Sequence, residues 1–336
     1  MISVVCPIFN EELYIGGCIN SILAQDYPKN DLEVLFVDGM SSDNTRTIVE
    51  EYSTKHPFIH LLDNPHKTVP YAMNIGIEEA IGDIIIRLDA HAEYPDNYFS
   101  VLSHKLIELD ATNVGAICET LPINDTATAI GIASALSCSF GMGNSYFRTG
   151  ATETKQVDTV PFGCFRKEIF KKVGFYDCEL IRNQDDELNG RIIKNGGSIY
   201  LIPSIIVKYF ARDKVSKVSK MFYQYGLYKP LVNKKLGSPA TLRQFFPLLF
   251  VIGLLCGALF SLLSNYIFYL YIAIIGLYTL IGLYIGFKES IRCKKTSLIL
   301  IMPIIFSAIH ISYGVGYING IFKILAQKPF NAESNR

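Results

Sequence analysis

The stretch Ile84-Ile85-Ile86-Arg87-Leu88-Asp89-Ala90-His91 (IIIRLDAH, residues 84–91) decides the fold. A run of aliphatic residues without alternation, closed by a carboxylate, is the pattern of a strand buried on both faces. Toward the N-terminus the pattern recurs at Ile2–Cys6, at Glu33–Val37 closed by Asp38, and at 59–62. Helical segments separate these runs. Asn10 caps one whose apolar Ile15, Cys18, Ile19 and Ile22 fall at i, i+3, i+4 and i+7, and others cover about 43–54 and 72–80. This alternation predicts an α/β domain with a mostly parallel sheet and helices on both faces. Ligands of such sheets sit beyond the carboxyl ends of the strands, so Asp38 and Asp89 are expected to border one crevice.

The first strand is followed by Pro7, Ile8, Phe9 and Asn10, with neither GxGxxG nor GxxxxGK[ST], so a dinucleotide turn and a P-loop are both excluded. A phosphate-bearing ligand then calls for a cation. Asp89 and His91, two apart at a strand end, point the same way, and a carboxylate with an imidazole suits Mn2+ better than the oxygen-seeking Mg2+. The spacing alone is equally that of a strand-end Asp followed by a surface His.

The order of the motifs carries more than any one of them. VVCPIFNEE (4–12), VDGMSSDNT (37–45), Asn74 with Gly76, RLDAHAEYP (87–95), TVPFGCFRKEIFKKVGFYD (159–177) and NQDDELNGRIIKNGG (183–197) follow one another as in the family 2 glycosyltransferases, which the chain resembles over nearly all of residues 1–230. Within that family it is similar to a membrane-anchored subgroup of succinoglycan-type glucosyltransferases, which also have the DxH variant, SFGMGNSYFR (139–148) and QYGLYK (224–229). The resemblance implies a GT-A (nucleotide-diphospho-sugar transferase) fold and a nucleotide-sugar donor.

On that resemblance, Pro7, Asn10, Glu11, Asp38 and Asp89 belong to the nucleotide site. Asp38 would accept from the uracil imide N–H or, as an alternative, cap the next turn. Glu11 or Glu12 would lie near the ribose or stay on the surface. Asp89 and His91 would hold Mn2+ or Mg2+ against the diphosphate. Aligning Glu187, Leu188 and Arg191 with the family's ELxxR makes Asp185 the catalytic base, with Asp186 in reserve. Three adjacent acids also suit the first turn of a helix. Arg191 is expected to pair with Glu187 one turn away. Arg166 and Lys167 either face a lipid pyrophosphate or form a solvated face, and Cys164 has no histidine partner that would make it a nucleophile. Gln224-Tyr225-Gly226-Leu227-Tyr228 lacks the Arg and Trp of the QxxRW found in processive synthases, which implies transfer of a single sugar.

The expected reaction is inverting transfer of one sugar, UDP-linked, to a polyprenyl-linked oligosaccharide in bacterial surface polysaccharide biosynthesis. The alternatives are a polyprenyl-phosphate glycosyltransferase and a non-catalytic nucleotide-sugar-binding subunit.

The second half of the chain meets a different solvent. Of 31 Lys+Arg and 31 Asp+Glu, residues 1–210 hold 16 basic and 28 acidic, leaving 15 basic and 3 acidic for 211–336. The overall neutrality argues against a nucleic-acid binder. From 244 to 287 no charge occurs, and from 296 to 322 the sole ionisable group in mid-stretch is His310. Three membrane helices are expected, at 245–264, 266–287 and 297–318, within a membrane domain of 245–322. The third is open to an interfacial or re-entrant reading. Lys288, Arg292, Lys294 and Lys295 between the second and third place that loop, and the catalytic domain 1–210, in the cytoplasm of a multi-pass plasma-membrane (inner-membrane) protein. Three spans then leave the tail 323–336, with Lys323, Lys328 and Arg336, outside. No signal-peptide pattern opens the chain, and eight scattered cysteines read as reduced thiols. Between the halves, 211–244 carries Arg212, Lys214, Lys217, Lys220, Lys229, Lys234, Lys235 and Arg243, with Val215, Val218, Phe222 and Tyr225 at helical spacing. That strip is expected to be an amphipathic helix on anionic lipid. His310 is expected to serve interhelical hydrogen bonding.

Overall fold

The computed structural model describes residues 1–239 and 241–330, so the end of the basic tail, with Arg336, lies outside the described residues. The chain divides into two compact units, Met1–Glu119 with Gly150–Tyr209, and Thr120–Thr149 with Phe210 onward.

The first unit is built on a sheet of nine strands among the described residues: β1 (Ile2–Ile8), β2 (Leu32–Asp38), β3 (Ile59–Asp63), β4 (Ile84–Arg87), β5 (Ala92–Glu93), β6 (Asn113–Pro122), β7 (Lys155–Gln156), β8 (Cys164–Arg166) and β9 (Ile199–Ala211). Their order is β3-β2-β1-β4-β8-β6-β9-β5, with β7 paired to β9. β3, β2, β1 and β4 are parallel, as the alternation predicts. Beyond β4 the expectation of a mostly parallel sheet needs correction: β8 runs antiparallel to both β4 and β6, and β9 antiparallel to β5 and β7. The physical reason is that β5, β7 and β8 are two or three residues long and pair with strands far away in the chain, so they leave neither a hydrophobic run nor a hairpin signal to read.

Helices α1 (Ile15–Leu23), α2 (Thr45–Lys55), α3 (Val69–Glu79) and α4 (Tyr98–Glu108) connect these strands. α1 buries Ile15, Cys18, Ile19 and Ile22, the spacing read from sequence. α3 lies so close to β1 that a Cβ on Gly76 would collide with Val5. Register aligns Ile8 with Asp38 and Asp38 with Asp63, so the loops after β1, β2 and β4 emerge at one edge.

Residues 120–149, expected within the catalytic domain, cluster instead with the C-terminal helices. They form α5 (Ala127–Leu136), α6 (Ser139–Met142) and α7 (Tyr146–Thr149). The reason is visible in α5, whose residues 129–136 are all buried: it is apolar all round and needs an apolar partner on every face. Back in the first unit, α8 (Ile169–Val173) and α9 (Gln184–Lys194) follow.

The second unit continues with α10 (Val215–Leu236), α11 (Phe246–Ser261), α12 (Asn265–Cys293) and α13 (Leu298–Leu325). Three segments, Leu242–Ser261, Asn265–Cys293 and Leu298–Leu325, are long and apolar enough to cross a membrane. The turn falls at 262–264, just before position 265 where the expected spans leave it, and the second and third helices run six and seven residues further than hydropathy suggested. Val218 and Phe222 of α10 are buried with Met302, Ile305, Phe306 and Ile309 of α13, so the apolar stripe of the basic strip is covered by protein. Gly226 lies in the same contact, where a Cβ would collide with the Tyr313 carbonyl; the QYGLY segment is therefore a packing surface. His310 Nδ1 meets the Tyr278 hydroxyl at 2.9 Å, the interhelical bond anticipated.

Candidate active site

Two loops at the carboxyl edge are laced together by their own polar groups. The Asn10 N–H donates to Ser41 Oγ (2.8 Å), and Asn10 Oδ1 accepts from the Ser42 N–H (2.9 Å). The Glu11 N–H donates to Thr45 Oγ1 (2.7 Å), and Glu12 accepts from the Asn44 N–H (3.1 Å). Asn10 adopts a left-handed φ of 55°, a conformation Asn tolerates better than most residues. Pro7 is buried within β1, which feeds this loop.

Asp38 closes β2 and is fully buried. Its carboxylate accepts from Ser41 N–H (3.0 Å) and Oγ and from Arg46 Nη1 (2.8 Å), and Arg46 reaches Asp63 at the same distance. This is the turn-capping geometry, extended by an arginine that the sequence reading passed over. Arg46 sits on the first turn of a helix of mixed polarity, where nothing in sequence marks it as an inward-facing partner.

Asp89 stands just beyond β4. The Tyr94 hydroxyl secures its peptide group, accepting from the Asp89 N–H (2.8 Å) and donating to its carbonyl (3.3 Å). His91 Nδ1 lies 3.7 Å from Glu11 Oε1, which brings the DxH segment to the loop after β1. Among the described residues no three His, Cys, Asp or Glu side chains converge as a self-sufficient metal centre. Asp89 and His91 are two donors, a carboxylate and an imidazole, and they would fit a cation whose other ligands are the phosphates of a bound substrate.

Asp185 lies on the first turn of α9, where the helix dipole favours an acid. The structure joins it to Asp89 through Arg87, whose guanidinium donates from Nη1 to Asp185 Oδ1 and places Nη2 3.5 Å from Asp89 Oδ1. Arg87 is buried in the last position of β4. Burial opposes its charge, but Asp185 and Asp89 raise its affinity for the proton well above the ordinary value. Burial likewise holds the Asp185 carboxyl above the usual Asp range; Arg87 pulls it down, while Asp89 and Asp186 push it up.

Buried amides fix α9 in place. Asn189 accepts from Asn113 Nδ2 (2.9 Å) and donates to Thr159 Oγ1 (2.8 Å). Asn74 holds the backbone of Tyr176 from both sides, at 2.9 Å each. Arg191 pairs with Glu187, as expected, and also donates to the Val173, Gly174 and Phe175 carbonyls.

Arg166 bonds Asp110 (2.9 Å) and the Ala111 carbonyl, and Lys167 donates to the Ala80 carbonyl; both are tied into the fold. Cys164 is buried, which pushes its thiol far above the ordinary value and makes it a poor nucleophile. Sequence reasoning missed Arg87 because an arginine inside an aliphatic strand announces nothing until its partners, 2 and 98 residues away, are known.

Comparison with known proteins agrees with this architecture. Residues 3–174 match the family described as Glycosyl transferase family 2. The chain is 30% identical over 334 residues to a dolichyl N-acetyl-alpha-D-glucosaminyl phosphate 3-beta-D-2,3-diacetamido-2,3-dideoxy-beta-D-glucuronosyltransferase of Methanococcus voltae, covering 96% of this chain and 97% of that one. It is also 30% identical over 263 residues to the succinoglycan biosynthesis protein ExoA of Rhizobium meliloti, covering 78% of each. Among solved structures, a mannosyltransferase from Pyrobaculum calidifontis in complex with GDP-Man and Mn2+ superposes with a TM-score of 0.60 at 16% identity, over 90% of this chain and 86% of that one. That likeness shows the fold, the expected GT-A architecture with its mixed sheet. With a family match over half its length and a relative aligned almost end to end, this chain belongs to glycosyl transferase family 2 and is a glycosyltransferase.

Proposed function

We propose that the protein transfers one sugar, with inversion, from a UDP-linked donor to a saccharide carried on a polyprenyl lipid. The observation that carries this reading is the Arg87 bridge, which holds a base-competent carboxylate beside the carboxylate suited to a diphosphate-bound cation.

Asp185 takes the proton from the acceptor hydroxyl as that oxygen forms its bond to the anomeric carbon. The bond from that carbon to the diphosphate oxygen breaks on the opposite face, and UDP departs with the electron pair. A carboxyl held above its usual range is a stronger base than a surface Asp. Asp186 is the reserve candidate beside it. When bound, Mn2+ or Mg2+ held by Asp89 and His91 would neutralise charge on the leaving diphosphate. Pro7, Asn10, Glu11 and Asp38 shape the nucleotide end. Because both Asp38 oxygens already have protein donors, its role is to fix loop 39–45 against Asn10, with any uracil contact made through its remaining lone pairs.

The name of the Methanococcus relative, whose acceptor is a lipid-linked sugar, supports the acceptor class. The three apolar helices and the basic loop 288–295 support anchoring to the inner (plasma) membrane with the catalytic unit cytoplasmic.

The test is to incubate membranes containing the full chain with UDP- and GDP-sugars, Mn2+ or Mg2+, and defined lipid-linked acceptors, then to analyse the lipid products. Extension of a lipid-linked saccharide by one residue is expected. Glycosylation of bare polyprenyl phosphate, or UDP binding without turnover across the panel, would replace this reading.

A further inference from the structure

α13 is about as hydrophobic as the other two long helices, yet it is the one least placed to cross a bilayer. α11 and α12 form an antiparallel hairpin. Phe250 stacks on Tyr278 (4.6 Å), a Cβ on Gly257 would meet Tyr271, and the turn is at 262–264. The open end of this hairpin is marked by Arg243 before α11 and by Lys288 within α12.

The contacts of α13 stay at that open end. Gly286 packs against the backbone of Leu298 and Ile299, and Gly282 against Pro303. Further along, Gly314 packs against Pro247, and the Tyr317 ring lies 6.0 Å from that of Phe245. Gly286 and Phe245 each lie two residues inside the flanking charges. A helix entering at the level of Gly286 would by Tyr317 have climbed about 27 Å, close to the far turn, since each residue rises about 1.5 Å. Tyr317 is instead back beside the first residues of α11. His310, midway, meets Tyr278 and Phe250, at most ten residues in, a depth of roughly 15 Å before the reach of the side chains is allowed for.

The flanks of α13 agree. α5 packs on it at Gly131, beside Leu298, Ile301 and Ile305, and α10 runs along its second half, where Gly316 and Gly320 sit against Tyr223, Leu227 and Pro230. α10 exposes Lys214, Lys217 and Lys220 at one end and Lys234 and Lys235 at the other. A spanning α13 would carry both clusters into or across the hydrocarbon, where unpaired ammonium groups are strongly disfavoured. What α13 leaves uncovered is one stripe, Leu300, Ile304, Ile311, Val315 and Phe322 at intervals of four and seven, joined at its end by Ile321 and Leu325.

We infer that α13 lies in the membrane plane, its uncovered stripe in the acyl region of the leaflet facing the α11 entrance, and that the α10 lysines at its flank bind anionic headgroups. The partner of this surface is the lipid leaflet. Continuity with the α11–α12 hairpin and the charge of the exposed lysines select it. The chain then returns to the side from which it entered α11. Lys323 and Lys328, which three spans would leave on the outer side, lie on the positive side instead.

The chain contains no tryptophan, so single replacements report depth without background. Leu300→Trp, Ile311→Trp and Phe322→Trp, all at exposed positions, are each placed in the full chain and reconstituted in vesicles containing phosphatidylglycerol, with lipids brominated near the headgroup or near the chain end. Leu259→Trp on α11 is the control. All three α13 reporters are expected to be quenched more by the shallow label, and a C-terminal tag to be proteolysed only after cells are opened. Deep quenching at 311 with shallow quenching at 300 and 322, or a tag cut on intact cells, would show a third span and overturn the inference. Loss of quenching on α13 with the control still quenched would also overturn it while leaving the anchor intact; loss at all four positions would remove the membrane reading itself.

Discussion

Arg87 donates through Nη1 to Asp185 Oδ1 and sets Nη2 3.5 Å from Asp89 Oδ1, so one buried cation, the last residue of β4, spaces two acids that are 96 positions apart in the chain. This relationship links the donor side of the proposed reaction to its acceptor side, and it pulls the Asp185 pKa down against the effect of burial.

Asp185→Asn keeps the shape of the side chain and removes its basicity. Turnover is expected to fall by about 10²–10⁴-fold. Equilibrium binding of UDP should change little, whereas Asp186→Asn should cost far less. Comparable losses in the two variants would reassign the base.

Arg87→Gln tests the electrostatic part of the bridge. The base works unprotonated, so activity rises with pH through the Asp185 pKa. Arg87 pulls that pKa down against burial, and without it the carboxyl binds its proton more tightly. The acid limb of kcat/KM should therefore move to higher pH, and Arg87→Lys should restore part of the shift. An unmoved limb, with activity merely reduced, would leave Arg87 as packing alone.

Asp89→Asn removes the anionic ligand proposed for the cation. The Mn2+ concentration needed for half-maximal activity should rise, and saturated activity should remain low as several kcal/mol of Lewis-acid help is lost. His91→Asp, by adding an oxygen donor, is expected to shift preference from Mn2+ toward Mg2+. Metal titrations of wild type and both variants measure this directly.

Arg191→Ala strips a buried carboxylate, Glu187, of its partner and frees three carbonyls of the 173–175 turn. Removing one member of such a pair typically costs about 3–5 kcal/mol. Thermal unfolding followed by circular dichroism should show a lower Tm, while the double variant Arg191→Met with Glu187→Leu should recover much of the loss. No change in Tm would mean that the pair is solvent-screened.

The sequence by itself determined whatever depends on local periodicity or on residues adjacent in the chain. Buried runs such as Ile2–Cys6 and Ile84–Leu88 declare central strands, because a strand covered on both faces has no polar side to show. The spacing of Ile15, Cys18, Ile19 and Ile22 declares a helix, and 44 uncharged residues declare segments long and apolar enough to cross a membrane. The order of the motifs singles out the acids at 38, 89 and 185 as site candidates. Tertiary structure alone decided the rest. The antiparallel half of the sheet depends on pairing β5, β7 and β8 with strands more than 40 residues away, and the Arg46 and Arg87 bridges on partners that folding brings together. The placement of α5 and α13 depends on which faces other helices cover, since hydropathy measures how apolar a segment is and not which neighbour, protein or lipid, its surface meets.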